Sequence, residues 1–413
     1  MTTTTDPAHD LAVAAGSGRD GVARPRDDAE AIAAAHALAI RWRELGPERD
    51  RDRAVPYAEL ELLSRSGLLA VTVPRAYGGP GVRAGTLTRI FAILSAADTA
   101  LAQVPQNHFG AVFGLEAEDD ERKAFFFAET LRGARFGNAG HERGRGGRSH
   151  PKTTLVDDGD GYRINGVKSF CTGALTADWV PVSASHPDGW IATAFVPRGT
   201  PGLDVREDWD AFGQRATVSG SAVLTDVWVA RRHVFDQSGR PRPQAAFRYA
   251  RSQLTHAAIQ IGVAHAVLAH AGRLDRAGLP AGVAHRFAAW REDLLLETSA
   301  AEALVDRAAD LVDEVVSAGP TPASALAVGL AVDEAKCVAY DLGPAAADGL
   351  AAFAGPADTD ADRGFDRYWR NARTHSLHDP VRWRRHYVGD YHLNGTLPPV
   401  LRSLLESTGD VPL

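Results

Sequence analysis

Apolar residues recur at helical spacing from Asp28 to about Arg135, alternate with polar ones from about Phe136 to Phe235, and return to the helical period from Phe247 onward. In the first zone Ile32, Ala35, Leu38 and Trp42 predict a helix over residues 31–45. Residues 59–66 form a second helix, ended by Gly67, and residues 87–97 begin a third. Pro74, Gly78, Gly79, Pro80 and Gly81 make residues 73–81 a loop. In the middle zone, strands at 153–156 and 162–164 flank Asp157-Asp158-Gly159-Asp160-Gly161, a hairpin signal. Residues 179–183, 190–197 and 222–229 are further strands, rich in β-branched residues and bounded by Gly, Pro and Asp clusters. A small antiparallel barrel or sandwich is expected. Residues 252–274, 283–317 and 322–342 then read as long, alanine-rich amphipathic helices of an antiparallel bundle, with apolar surface left for oligomerisation.

The fold class is therefore α+β, in four parts: a disordered tail over 1–27, a helical domain over 28–135, a β-barrel domain over 136–240 and a helical bundle over 241–413. With 413 residues, 45% hydrophobic and 23% charged, the chain can bury a large core. A net charge of −7 argues against nucleic-acid binding. No apolar run reaches the roughly 18–20 residues that span a bilayer. The first residues lack the basic and apolar stretches of a signal peptide. Cys171 and Cys337 supply neither a disulfide framework nor metal-ligand spacing. A cytoplasmic setting without metal is the expectation.

The densest chemistry lies in Arg367-Tyr368-Trp369-Arg370-Asn371-Ala372-Arg373-Thr374-His375-Ser376-Leu377-His378-Asp379-Pro380. His375 and His378, three residues apart, share one face of a helical turn. Three arginines and two large aromatics crowd the same stretch. This mixture suits a site that holds an anionic, planar ligand and moves protons.

Helices, then a β-domain, then a long bundle is the order of the acyl-CoA dehydrogenase superfamily, and the motifs agree. Val73–Gly81, written out as Val-Pro-Arg-Ala-Tyr-Gly-Gly-Pro-Gly, resembles its Pro-x-x-Tyr-Gly-Gly-x-Gly loop. Gly166-Val167-Lys168-Ser169-Phe170-Cys171-Thr172-Gly173 resembles the strand that lies along the flavin. The run from Asp208 to Ser221 resembles the later β-domain signature. Segment 367–380, followed by Val388-Gly389-Asp390 and Leu393-Asn394-Gly395, resembles the dibenzothiophene monooxygenase branch, whose members are two-component flavin monooxygenases. The resemblance covers about residues 30–400.

That resemblance implies an oxygenase. Most of the dehydrogenases carry a Glu near the C-terminus that takes the α-proton of an acyl thioester; here Arg-Thr-His-Ser-Leu-His-Asp stands instead. Asp379 precedes Pro380 and is a poor replacement. Reduced flavin and O2 give a C4a-(hydro)peroxide that must be kept from water and needs a proton donor of near-neutral pKa, which favours His. By motif match His378 is the catalytic donor, with His375 its neighbour. His108 falls on a pocket histidine, Asn138 on a pocket asparagine near the flavin, and Thr172 on a hydroxyl beside the N5 edge. Phe170 is placed to pack against the isoalloxazine. Arg273 is a flavin-phosphate contact, with Arg276 second, and Arg370 adds positive charge for the cofactor. Structural readings stand beside these: Thr172 satisfying its strand, His108 and Phe170 filling core, Asn138 ordering a turn, Arg273 ending a helix in solvent.

Three departures from the branch stand out. Val112 sits where the dibenzothiophene enzymes carry a pocket tyrosine. The loop after the long bundle helix is short. Residues 354–359 replace a loop that in relatives helps hold phosphate from a neighbouring subunit. Arg143-Gly144-Arg145-Gly146-Gly147 lacks the strand-to-helix context of a nucleotide-binding loop and reads as a mobile loop near the site mouth. Without an NAD(P)H motif, reduced flavin must come by diffusion from a separate NAD(P)H–flavin reductase. The expected protein is a homotetrameric, FMNH2-dependent monooxygenase acting on a small apolar substrate at sulfur or nitrogen, or at an aromatic carbon. FAD is the less favoured cofactor. The rivals are an acyl-CoA dehydrogenase with FAD and an electron-transfer flavoprotein, and a helical binding module without flavin.

Overall fold

Asp27 starts the first described helix, because its carboxylate accepts the Glu30 N–H that the helix itself leaves unpaired. The computed structural model describes residues 19, 21–144, 151–274, 280–355 and 360–405. Among the described residues six α-helices come first: α1 (Asp28–Glu44), α2 (Gly46–Asp52), α3 (Tyr57–Arg65), α4 (Ala84–Ala97), α5 (Thr99–Leu115) and α6 (Asp120–Leu131). Asp98 separates α4 from α5. Its extended backbone stops one helix, and its side chain caps the next by accepting the Ala100 and Leu101 N–H groups. The other carboxylate oxygen of Asp98 takes the buried Arg49 guanidinium at 2.9 Å, which ties α2 to this junction.

Among the described residues seven strands follow: β1 (Thr154–Asp158), β2 (Gly161–Lys168), β3 (Trp179–Ser185), β4 (Ile191–Pro197), β5 (Leu203–Val205), β6 (Ala222–Ala230) and β7 (Val234–Asp236). They form one sheet in the order β5-β6-β2-β1-β3-β4-β7. The expected hairpin is there, with Asp158 paired to Gly161. Between these strands every described pairing is antiparallel except Thr154–Ser185, where β1 meets β3 in parallel, and the segment before them adds parallel bridges at Phe136–Trp179 and Ala139–Val182. The short strands β5 and β7 edge the sheet and had no pattern long enough to register as strands in the sequence. At the heart of this layer Lys168 is fully buried and donates to Glu142 at 2.6 Å. Burial pushes the Glu142 pKa up, but Lys168 and hydrogen bonds from Thr153 and Lys152 outweigh it and hold the group at about 2.

The last part is helical: α7 (Arg242–Ala271), α8 (Ala281–Ala318), α9 (Pro322–Ala351), α10 (Arg367–His378), α11 (Arg382–Asn394) and α12 (Pro399–Leu405). α7 is long and apolar enough to cross a membrane by length and composition, which corrects the expectation that no run is. Inside the protein 78% of its most apolar window is buried, so it is the central core helix, packed between α9 and α4.

The end of the expected disordered tail is also corrected. Arg19 bridges Glu61 on α3 at 2.9 Å and Asp178 before β3 at 3.1 Å, and the Ala23 N–H donates to Arg65 O. Residues 1–18 and 20 lie outside the described residues.

Replacing Lys168 by Met should leave the Glu142 carboxylate buried without its cation. Breaking a buried pair this way costs about 3–5 kcal/mol. Urea unfolding at neutral pH should show that loss; a difference within about 1 kcal/mol would mean that water reaches Glu142.

Candidate active site

The histidine segment became α10, and three separate docking contacts hold that helix. On one side Arg370 donates to Asp50 on α2 at 2.5 Å, to Asp366 at 2.7 Å and to the Phe212 carbonyl at 3.2 Å. On a second side the Asn371 side chain accepts the Gln214 N–H at 2.6 Å, and the Gln214 amide donates to the Asn371 carbonyl at 3.3 Å. Gly213 is needed at this crossing, because a Cβ there would overlap the Arg370 carbonyl. The third side faces α7 and α9 and carries the histidines.

His375 is 1% exposed, while His378, the last residue of the helix, is exposed. Both rings rest on His256 of α7, at centroid distances of 5.2 Å and 4.9 Å, the latter stacked at 29°. Their shared helical face thus has a partner, a third histidine. The ring protons can be placed. Gln260 Nε2 donates to the Ala372 carbonyl at 3.1 Å, which identifies that atom as the amide nitrogen. The same NH2 group donates to His375 Nδ1 at 2.9 Å. His375 therefore carries its proton on Nε2 and gives it to His256 Nδ1 at 3.0 Å. His256 in turn holds its own proton on Nε2. A Cβ at position 343 would strike Gln260 Oε1, so Gly343 is what lets this amide fit.

Next to the histidines lies a buried charge cluster. Lys336 Nζ donates to Asp379 at 2.8 Å and to Gln253 at 2.6 Å. Arg384 of α11 donates to Asp379 at 2.6 Å and to Tyr249 Oη at 2.5 Å, and it pairs with Asp333. Burial lowers the Lys336 pKa to about 8, with Arg384 adding to the fall and Asp379 opposing it. Burial would raise Asp379, but Lys336 and Arg384 hold it well below the usual carboxylate range. Asp379 is thus a spent carboxylate that pins the end of α10, in agreement with its rejection as a base.

On the β-domain side, the Phe170–Gly173 turn follows β2. Phe170 adopts a left-handed backbone at φ 57° and leaves its ring 42% exposed. Edges of His141 and Trp209 meet this ring at 5.3 Å and 6.3 Å, and the Arg143 guanidinium lies 5.5 Å from its centre. The Phe170 carbonyl accepts from the Thr172 N–H at 2.9 Å and from Asn138 Nδ2 at 3.3 Å. Thr172 is buried, with Oγ1 2.7 Å from Ser219 Oγ. Phe170, Thr172 and Asn138 are thus brought together.

Four other expectations are corrected or displaced. His108 does not face a pocket: its Nε2 meets the Leu69 carbonyl at 2.9 Å and its Nδ1 accepts the Phe136 N–H at 3.1 Å. With both nitrogens spent, burial lowers its pKa to about 4, and the ring supports the segment that leads to Asn138. His375, expected beside the catalytic histidine, has both nitrogens engaged too, by Gln260 and His256. Arg370, expected at the cofactor, is committed to Asp50 and Asp366 and clamps α10. Val112 is fully buried in an aromatic core with Phe126 and Phe136.

Arg273 stands in the exposed turn after α7, its N–H donating to His270 O. Arg276, residues 145–147 of the glycine-rich loop and residues 356–359 lie outside the described residues. His256, Gln260, Lys336 and Arg384 were not singled out in the sequence. A signal existed: Tyr249, Gln253, His256 and Gln260 form a polar stripe at helical spacing along a largely buried helix.

Comparison with known proteins gives the family. The family models described as acyl-CoA dehydrogenase N-terminal domain and middle domain match residues 26–133 and 144–227. A dibenzothiophene monooxygenase of Rhodococcus erythropolis is 32% identical over 91% of this chain and 96% of its own length. A probable FMNH2-dependent monooxygenase of Pseudomonas putida is 29% identical over 89% and 96%. Among solved structures, the dibenzothiophene monooxygenase of Paenibacillus sp. A11-2 in complex with FMN and indole superposes with a TM-score of 0.82 at 29% identity, covering 89% of this chain and 98% of that one. The chain belongs to the acyl-CoA dehydrogenase superfamily, in its dibenzothiophene monooxygenase-like branch.

The buried imidazoles predict an acid-sensitive fold. Burial lowers the pKa of His108, and burial with the neighbouring His378 lowers those of His256 and His375, all below the ordinary 6.5. Below about pH 6.5 the unfolded chain binds protons that the folded chain refuses. Stability is therefore full above that pH and falls by about 1.4 kcal/mol per pH unit per histidine as pH drops towards the folded values. Denaturant titrations at about pH 7 and about pH 5.5 should show the loss, and His108→Asn should flatten the slope. An unchanged slope in that variant would place the linkage elsewhere.

Proposed function

We propose that this chain is the oxygenase component of a two-component, FMN-dependent monooxygenase. The observation that carries it is the end of α10. Where a dehydrogenase needs a free carboxylate base, this helix presents His378 on a three-histidine stack, and its one adjacent carboxylate, Asp379, is spent on Lys336 and Arg384. The residues of the β-domain turn fit a flavin. Phe170 offers an exposed aromatic face, Thr172 a hydroxyl and Asn138 an amide on the same turn. Reduced FMN with O2 supplies the oxygen atom that is transferred and the electrons that turn the second oxygen atom into water.

The protein's own part is positional and protonic. Phe170 packs on the ring system and Thr172 meets its N5 edge. His378 donates a hydrogen bond and a proton to the oxygen being handled, oriented by His256, whose tautomer His375 and Gln260 hold. Arg273 contacts the flavin phosphate. The substrate is small and largely apolar, and is oxygenated at sulfur first, nitrogen second, or at an aromatic carbon. The names of the relatives support sulfur. Reduced flavin arrives from a separate NAD(P)H–flavin reductase. Exposed Leu377, Trp383 and Leu393 around α10 and α11 support a homotetramer.

Anaerobic protein loaded with FMNH2 and mixed with oxygenated buffer should pass through an absorbance distinct from both reduced and oxidised flavin. Direct formation of oxidised flavin, with or without substrate, together with bleaching of bound FAD by acyl-CoA, would favour the dehydrogenase. His378→Ala should keep its fold and FMN affinity but lose coupled product formation by about 100-fold or more, the contribution of a positioned general acid. Coupled turnover at the parent rate would remove His378 from its role.

A further inference from the structure

A line of hydroxyls runs inward from the Phe170–Gly173 turn. Thr172 Oγ1 lies 2.7 Å from Ser219 Oγ, and Ser219 Oγ lies 2.8 Å from Thr217 Oγ1. Thr217 Oγ1 lies 2.9 Å from the Gln214 carbonyl oxygen. All three side chains are buried. Each hydroxyl owns one proton, and a carbonyl can only accept. Thr217 therefore donates to Gln214. Its proton spent, Thr217 accepts from Ser219, and Ser219 accepts from Thr172. One carbonyl oxygen sets the direction of the whole line and leaves Thr172 with a lone pair to offer and no proton.

The backbone that holds this line is strained. Gln214 and Val218 adopt φ values of 53° and 45°. The left-handed region is a rare place for any residue other than glycine, and a genuine outlier for a β-branched one such as Val218. Such strain persists only where surrounding contacts fix it. Here they do: the Gln214 N–H is taken by Asn371, and its carbonyl also accepts Trp209 Nε1 at 2.9 Å.

We infer that Ser219 and Thr217 are positioning residues that set the redox preference of the cofactor site, by making Thr172 an acceptor towards flavin N5. The inference rests on the placement of Thr172 at the N5 edge proposed above. N5 of reduced flavin carries a hydrogen and donates. N5 of oxidised flavin carries only a lone pair and accepts. An acceptor-only Thr172 bonds the first and faces the second with an unfavourable pair of lone pairs. The site therefore grips reduced flavin and releases oxidised flavin, which suits an oxygenase supplied by diffusion from another protein. Removing Ser219 or the Thr217 hydroxyl frees the Thr172 proton to turn towards bare N5.

The test is anaerobic titration of the full chain with FMN and with FMNH2, together with the midpoint potential of the bound flavin. The parent protein should bind FMNH2 more tightly than FMN. In Ser219→Ala and Thr217→Val the ratio of the two dissociation constants should fall about tenfold, mainly through tighter FMN binding. The bound potential should fall by about 30 mV, the equivalent of tenfold for two electrons. Thr217→Ser, which keeps the hydroxyl, should leave the ratio as it was. If Thr172→Val shifts the ratio while Ser219→Ala and Thr217→Val leave it within about twofold, the line of hydroxyls is overturned and the placement of Thr172 stands. If Thr172→Val changes neither affinity, that placement is itself overturned.

Discussion

The site depends on one junction, the paired hydrogen bonds between Gln214 and Asn371. Asn371 belongs to α10, four residues before His375. Gln214 belongs to the loop that anchors the hydroxyls behind Thr172. The two halves of the site lie 157 positions apart in the chain, and this contact is where they are joined. Gly213 permits it by letting the loop backbone touch the α10 backbone without a side chain between them. Arg370, held by Asp50 and Asp366, keeps the helix from rotating away.

Behind α10 the interior is polar where a helical bundle would ordinarily be apolar. A buried polar group is costly unless satisfied. Here the cost is offset group by group: Lys336 and Arg384 by Asp379 and Asp333, His375 by Gln260 and His256, Gln253 by Lys336. Such a network leaves few alternative arrangements, since moving one member strands another. That rigidity fixes the tautomer of His256 and the place of His378. Burial, with His378 close by, disfavours the charged form of His256 and His375.

Much of this was legible beforehand. Helical periods at 31–45 and 59–66, the Asp-Gly hairpin and the long alanine-rich helices each express a local preference that packing did not overrule. The 367–380 segment was found because unusual residues stand close together in sequence, and Phe170 and Thr172 because residues 166–173 resemble a family motif. The misses have a common cause. His108 and Arg370 look reactive in a string of letters, yet their roles depend on what lies across from them: the Leu69 carbonyl and Phe136 N–H for one, Asp50 and Asp366 for the other. The polar stripe on α7 went unread because its partners come from α9, α10 and α11, each far away in sequence.

The sequence by itself determined the order of elements, the superfamily and the chemical inventory, because periodicity, turn residues and motif spacing are local properties. The tertiary structure decided which of those groups are free to act. Asp379 and Arg370 are spent on ion pairs, His108 and His375 on hydrogen bonds, and the Thr172 proton on Ser219. A side chain's remaining capacity to donate, accept or titrate is what its neighbours leave it, and those neighbours are set by packing between distant segments.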